Sequence, residues 1–210
     1  MSHGCCGDDV KFDGASQAYK RVLLVVIAVN FAMFLVEVSG GLASGSMALL
    51  ADSLDFLADS ATYTISLVVI GMSLAVRAKA GLFKGISLLA IAAWVLGSTV
   101  YRMLGDAVPE PITMGTIGFA AFAANVFCAL LLMRFKDGDA NVRSVWLCSR
   151  NDAIGNVAVI LAASGIWVTE SMWPDLIVAG GMAALFCQSA ILIIRQARTE
   201  LQQDHETHQH

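Results

Sequence analysis

Two apolar stretches of this chain carry groups that lipid does not tolerate without compensation. The first reads Ala51-Asp52-Ser53-Leu54-Asp55-Phe56-Leu57-Ala58-Asp59. Spacings of three and four put its three carboxylates on one face of a helix. The second reads Cys148-Ser149-Arg150-Asn151-Asp152-Ala153-Ile154-Gly155-Asn156, with Cys148, Asp152 and Asn156 sharing a face at spacings of four. An unpaired acid at mid-membrane costs roughly 2.5–3.5 kcal/mol on insertion scales, and a bound cation is the simplest compensation. Asp55 and Asp59 from one helix with Cys148 and Asp152 from the other make a four-ligand set. Carboxylate oxygen and thiolate in that number suit Zn²⁺. The thiolate favours Zn²⁺, Cd²⁺ or Co²⁺ over Mg²⁺ and Ca²⁺. Cys148 also reads as a small buried apolar residue; Fe²⁺ fits the set as well, and without the thiolate Mn²⁺ does too.

The elements that must position these groups follow from composition. Of 210 residues, 57% are hydrophobic and 14% charged, with a mean hydropathy of +0.70. Soluble domains carry about 25% charged residues, so this chain cannot furnish a water-facing shell. A net charge of -4 excludes a strongly basic nucleic-acid binder. The expected fold is all-α, a polytopic membrane protein with helices near 20–42, 47–76, 81–104, 112–134, 142–169 and 174–197. Each can cross a hydrocarbon layer of about 30 Å. Residues 1–19 form a tail, 20–201 one six-helix membrane domain, and 202–210 a short His-containing tail. No cleavable signal is expected ahead of the first apolar run, which follows about 20 mostly polar residues.

Lys11, Lys20, Arg21, Arg77, Lys79, Lys84, Arg134, Lys136, Arg143, Arg195 and Arg198 fall on one side of this layout. The positive-inside rule makes that side cytoplasmic, with both termini. Only Arg102 lies in an outside connection, and Arg150 sits within a helix. At about 1.5 Å per residue, Asp55 and Asp59 lie roughly 13–20 Å in from the outer start of their helix, and Asp152 about 15 Å in from the inner start of its own. Both sets therefore approach the midplane, where transporter sites lie. The five cysteines are cytoplasmic or within the bilayer, so no disulfide framework is expected.

Asp52, one turn outward of Asp55, and Glu37, near the outer end of the first helix, are read as path residues for the ion or protons, or as packing and interfacial groups. Asn30 and Asn156 read as interhelical glue, with Asn156 also able to complete a coordination shell. Arg150 is rotated about 160° from the Cys148/Asp152 face at 100° per residue and has no assigned partner. His3, Cys5 and Cys6, with His205, His208 and His210, read either as metal-collecting tails at the cytoplasmic mouth or as ordinary termini. Small residues at Gly85 and Gly180-Gly181 suit close helix approach.

The run Ser44-Gly45-Ser46-Met47-Ala48-Leu49-Leu50-Ala51-Asp52-Ser53-Leu54-Asp55, followed by Asp59, resembles the second-helix signature of the cation diffusion facilitator family. Its closing element, His/Asp-x-x-x-Asp, falls here on Asp55 and Asp59, and its fifth-helix counterpart on Cys148 and Asp152. The resemblance implies export of a divalent metal against protons by alternating access, usually by a homodimer in the cell membrane, with metal and protons as substrates and no prosthetic cofactor. Zn²⁺ is the first expectation. The chain departs from the family in having no membrane histidine, and only about a dozen residues follow the sixth helix, where the family has a cytoplasmic metal-sensing domain. Those departures motivate a second reading, a non-transporting membrane metal sensor or partner subunit. A membrane enzyme is weakest, since no Ser/His or Cys/His pair lies at membrane depth.

Overall fold

In a computed structural model, residues 16–68, 74–105, 107–136 and 140–207 are described. Six helices follow in order: α1 Gln17–Ser44, α2 Met47–Val68, α3 Leu74–Arg102, α4 Pro111–Leu132, α5 Ala140–Thr169 and α6 Trp173–Thr207. A 3-10 turn at Met133–Phe135 extends α4. Among the described residues there is no strand, and five helices are long and apolar enough to cross a membrane. The sixth is α2, whose apolar face is interrupted by Asp52, Asp55 and Asp59. The chain is a multi-pass membrane protein.

The helix ends are set locally. Ser16 accepts the Tyr19 N–H and caps α1. Gly45, at φ 72°, ends α1 in the left-handed conformation that favours glycine, so α2 starts two residues later. Glu110 accepts from the N–H groups of Ile112 at 2.9 Å and Thr113 at 2.6 Å, with Pro111 opening α4. Three boundaries differ clearly from expectation. Helix α2, expected to reach 76, ends among the described residues at Val68, and residues 74–76 belong to α3. Helix α3 begins at Leu74 rather than 81, so Arg77, Lys79 and Lys84 ride on its first three turns. Ala, Leu, Lys and Arg are good helix formers and nothing there breaks the run. For the same reason α6 runs on to Thr207 through a Gln- and Glu-rich stretch whose backbone bonds need no membrane.

Helices α1, α2, α4 and α5 pack together, while α3 lies chiefly along α6. Gly85 makes the latter approach possible: a Cβ there would stand 2.6 Å from Ile194 Cγ1 and 3.3 Å from the Ala190 carbonyl oxygen. Gly180 and Gly181 have nothing within 4 Å of a built Cβ, so they serve no close approach within the chain. Large apolar side chains are exposed on every other helix, among them Phe31, Trp94, Phe119, Leu161 and Leu185. On α2 the sole such residue among those described is Val68, at its end. The acid-bearing helix is thus the one its neighbours surround, and its charges are kept from acyl chains.

Two apolar layers bracket the acids along α2. Towards its start, Leu49 and Leu50 pack with Met114, Val159, Ile166 and Leu176. Towards its end, Tyr63 packs with Leu23, Val26, Cys128, Leu132 and Val145. By the charge distribution the first of these layers is the outer one and the second the inner one.

Candidate metal site

Helices α2 and α5 bring the sequence-derived residues to one level. Met47 and Leu50 share a cluster with Ile166, Ala163 and Ala162, and Tyr63 shares one with Val145 and Cys148. One helix therefore runs against the other, and Asp59 stands opposite Asp152. Both Asp55 and Asp59 reach the Asp152 carboxyl side chain to side chain. Cys148 lies one turn inward, half-buried, in reach of Asp59 and of the Tyr63 hydroxyl. Among the described residues, however, no group of three or more His, Cys, Asp or Glu side chains is already arranged as a cage for a metal ion. The acids meet in pairs, so a divalent ion would have to draw them round a common centre.

Carboxylates in that position repel one another; Asp59 is buried, and Asp55 and Asp152 are half-buried. A cation or protons must satisfy them, since neighbouring carboxylates cannot all remain ionised without one. The serine hydroxyls along α2 offer little help. Ser53 donates to the Leu50 carbonyl at 2.7 Å and Ser60 to that of Phe56 at 2.8 Å.

Several contributors were not read from the sequence. The Tyr63 hydroxyl donates to Asp59 Oδ2 in a very short hydrogen bond. The i, i+4 spacing of the two residues was available as a signal. From α3, Lys84 lies within electrostatic reach of Asp55, Asp59 and Cys148, although in sequence it reads only as one of the basic residues of the cytoplasmic side. Asn125 is buried in α4 with its carbonyl oxygen unpartnered.

Among the remaining expected residues, Asn156 is fully buried one turn outward of Asp152. Neither end of its amide is hydrogen-bonded, so the interhelical bond expected of it is not made. Asn30 instead donates to the Val26 carbonyl of its own helix at 2.8 Å. Glu37 and Asp52 are buried and meet each other. Arg150 is exposed: its guanidinium lies 5.3 Å from the Trp146 ring centroid and 3.1 Å from Asn151 Oδ1, pointing away from the acids as its rotation predicts. Cys128, Cys148 and Cys187 are free thiols. His3, Cys5, Cys6, His208 and His210 lie outside the described residues, as does the side chain of His205.

At the outer end a further acid ties the bundle together. Asp175, in the first turn of α6, accepts from Ser46 Oγ at 2.5 Å, Met47 N at 2.7 Å and Ala48 N at 3.0 Å. It caps the start of α2 from another helix and satisfies N–H groups that have no helical partner. Arg102, the last residue of α3, has its guanidinium beside Gly45 and within electrostatic reach of Asp175.

Comparison with known proteins agrees with this arrangement. Residues 23–202 match the cation efflux transmembrane domain. The zinc transporter ZitB of Yersinia pestis is 28% identical over 192 residues, covering 85% of this chain and 62% of that protein. ZitB of Escherichia coli K12 is 29% identical over 194 residues, covering 86% and 62%. The cadmium, cobalt and zinc/H(+)-K(+) antiporter of Bacillus velezensis is 25% identical over 177 residues, covering 77% and 56%. The chain therefore spans about three-fifths of the length of these relatives. With its six helices and the acid pairs of α2 and α5, the chain belongs to the cation efflux family.

Proposed function

We propose that this chain moves a divalent transition-metal ion out of the cytoplasm, with Asp55, Asp59 and Asp152 as its transport site and Cys148 as a fourth ligand. The observation that supports this most strongly is the meeting of three carboxyls from two helices between two apolar layers. Zn²⁺ is the favoured cargo, because the donor set is small and includes sulfur and relatives are named for zinc; Cd²⁺ and Co²⁺ come next. The ion binds from the cytoplasmic side and draws the acids together. The bundle then rocks so that the outer layer opens, and protons from outside neutralise the acids and release the cargo. A homodimer is the expected assembly.

Purified protein in proteoliposomes, with Zn²⁺ on the side equivalent to the cytoplasm and a pH gradient imposed, tests this reading. Zn²⁺ flux that rises with the gradient and vanishes when the gradient is collapsed supports antiport. The rival, a metal sensor or partner subunit, draws on the absence of a formed cage among the described residues. It predicts Zn²⁺ binding with no flux at any gradient.

A further inference from the structure

The pair formed by Glu37 of α1 and Asp52 of α2 is not needed to hold the cargo at Asp55, Asp59 and Asp152, yet it is the more deeply buried group. Glu37 is 0% exposed and Asp52 2%. Both carboxylate oxygens of Glu37, and Oδ2 of Asp52, lack any hydrogen-bond partner. The two side chains meet each other, and the other charged group in reach of Glu37 is Asp55, also negative. The nearby hydroxyl of Ser53 is spent on its own helix.

Packing does not demand such a pair. Burying a charge without a partner is costly in any apolar setting, and here two face each other from different helices. They lie one helical turn, about 4.5 Å along the axis, outward of Asp55. An ion leaving the transport site for the outer face therefore meets them next. Their own donor set is carboxylate oxygen alone.

We propose that Glu37 and Asp52 form a second divalent-cation station, distinct from the transport site, through which the metal passes on its way outward. It rests on the transport reading for its direction but not for its existence. Two carboxylates bind more weakly than three with a thiolate, so the station receives the ion and gives it up readily. Losing it slows release while leaving capture intact.

The test uses the full-length chain with His3, Cys5, Cys6, His205, His208 and His210 replaced by alanine, so that the tails do not bind metal. Zn²⁺ is titrated calorimetrically into the purified protein. The parent should take up two ions per chain in a tighter and a weaker step. Glu37→Gln and Asp52→Asn should each weaken the second step at least tenfold and leave the first within about threefold. Asp59→Asn should do the reverse. In proteoliposomes Glu37→Gln should lower maximal Zn²⁺ flux about tenfold at a nearly unchanged half-saturating concentration, a split that a merely destabilised fold would not give. Monodisperse elution of either isosteric variant suffices to read the result. Two unchanged steps in Glu37→Gln and Asp52→Asn overturn the station. So does a single parental step that Asp59→Asn alone removes, for then the pair holds only a proton and the transport site stands. If Asp59→Asn leaves both steps intact while Glu37→Gln removes one, the station survives and the transport site falls.

Discussion

Replacing Asp175 with alanine should loosen the outer end of the whole bundle. The carboxylate receives the buried N–H groups of Met47 and Ala48 and the Ser46 hydroxyl, while Ser46 Oγ in turn accepts the next free donor of the first turn, Leu49 N–H, at 3.0 Å. Each buried donor left unpaired costs about 1–3 kcal/mol. The two backbone donors therefore set a loss of roughly 2–6 kcal/mol, from which relief of burying the carboxylate subtracts a part. A net cost of about 2–4 kcal/mol is comparable with or above the loss of a strong helix cap. On the scaling of soluble domains of this size, that corresponds to a fall in melting temperature of roughly 5–15 °C. Thermal unfolding of the full chain in detergent, followed by intrinsic fluorescence, reads it directly. Asp175→Asn should fall between, since it keeps one acceptor oxygen. An alanine variant melting within about 1 °C of the parent would refute the capping argument, because it would mean those donors find other partners at no cost.

Three further outcomes follow from single contacts. Cys148→Ser should raise the half-saturating Cd²⁺ concentration for flux about tenfold and leave that for Mn²⁺ nearly unchanged, as sulfur donors favour the softer ion; equal effects on both ions would remove Cys148 from the ligand set. Gly85→Val should force α3 from α6 through Ile194 and the Ala190 carbonyl, costing about 1–3 kcal/mol by overpacking and read as a lower melting temperature. The Glu110 carboxyl is held below the usual range by the Thr113 side chain first and then by the backbone N–H groups of Thr113 and Ile112. A depressed carboxyl stabilises the fold fully above its unfolded value of about 4.3 and loses that contribution as pH falls through its lower folded value. The melting difference between parent and Glu110→Gln should therefore be full at neutral pH and shrink through the acid range below that value, whereas a difference that grows on acidification would contradict the assignment.

The six helices were legible because each is a long run of apolar residues, a signal that needs no tertiary knowledge. The acids of α2 and α5 were legible for the opposite reason: carboxylates stand out against such a background, and helical spacing fixes their shared face. The spacing also turned Arg150 away from them, as observed. Pairings between helices were not legible. Nothing in the sequence sets Glu37 against Asp52, or Asp175 against the start of α2 some 130 residues earlier, because those depend on how the helices dock. Lys84 reads in sequence only as one more basic residue of the cytoplasmic side, because its reach towards the acids of α2 depends on how α3 docks. Asn125 went unnoticed because an amide carries no charge to betray it.

The central claim is that carboxyls from α2 and α5 together replace the hydration shell of a divalent ion. Gradient-driven Zn²⁺ flux in proteoliposomes carrying Asp59→Asn, Asp152→Asn or both, each checked for monodisperse elution, tests it most directly. The account predicts that either substitution alone abolishes flux and that the double variant is no worse, since the two residues act as one site. Flux at the parental rate in either single variant would contradict it.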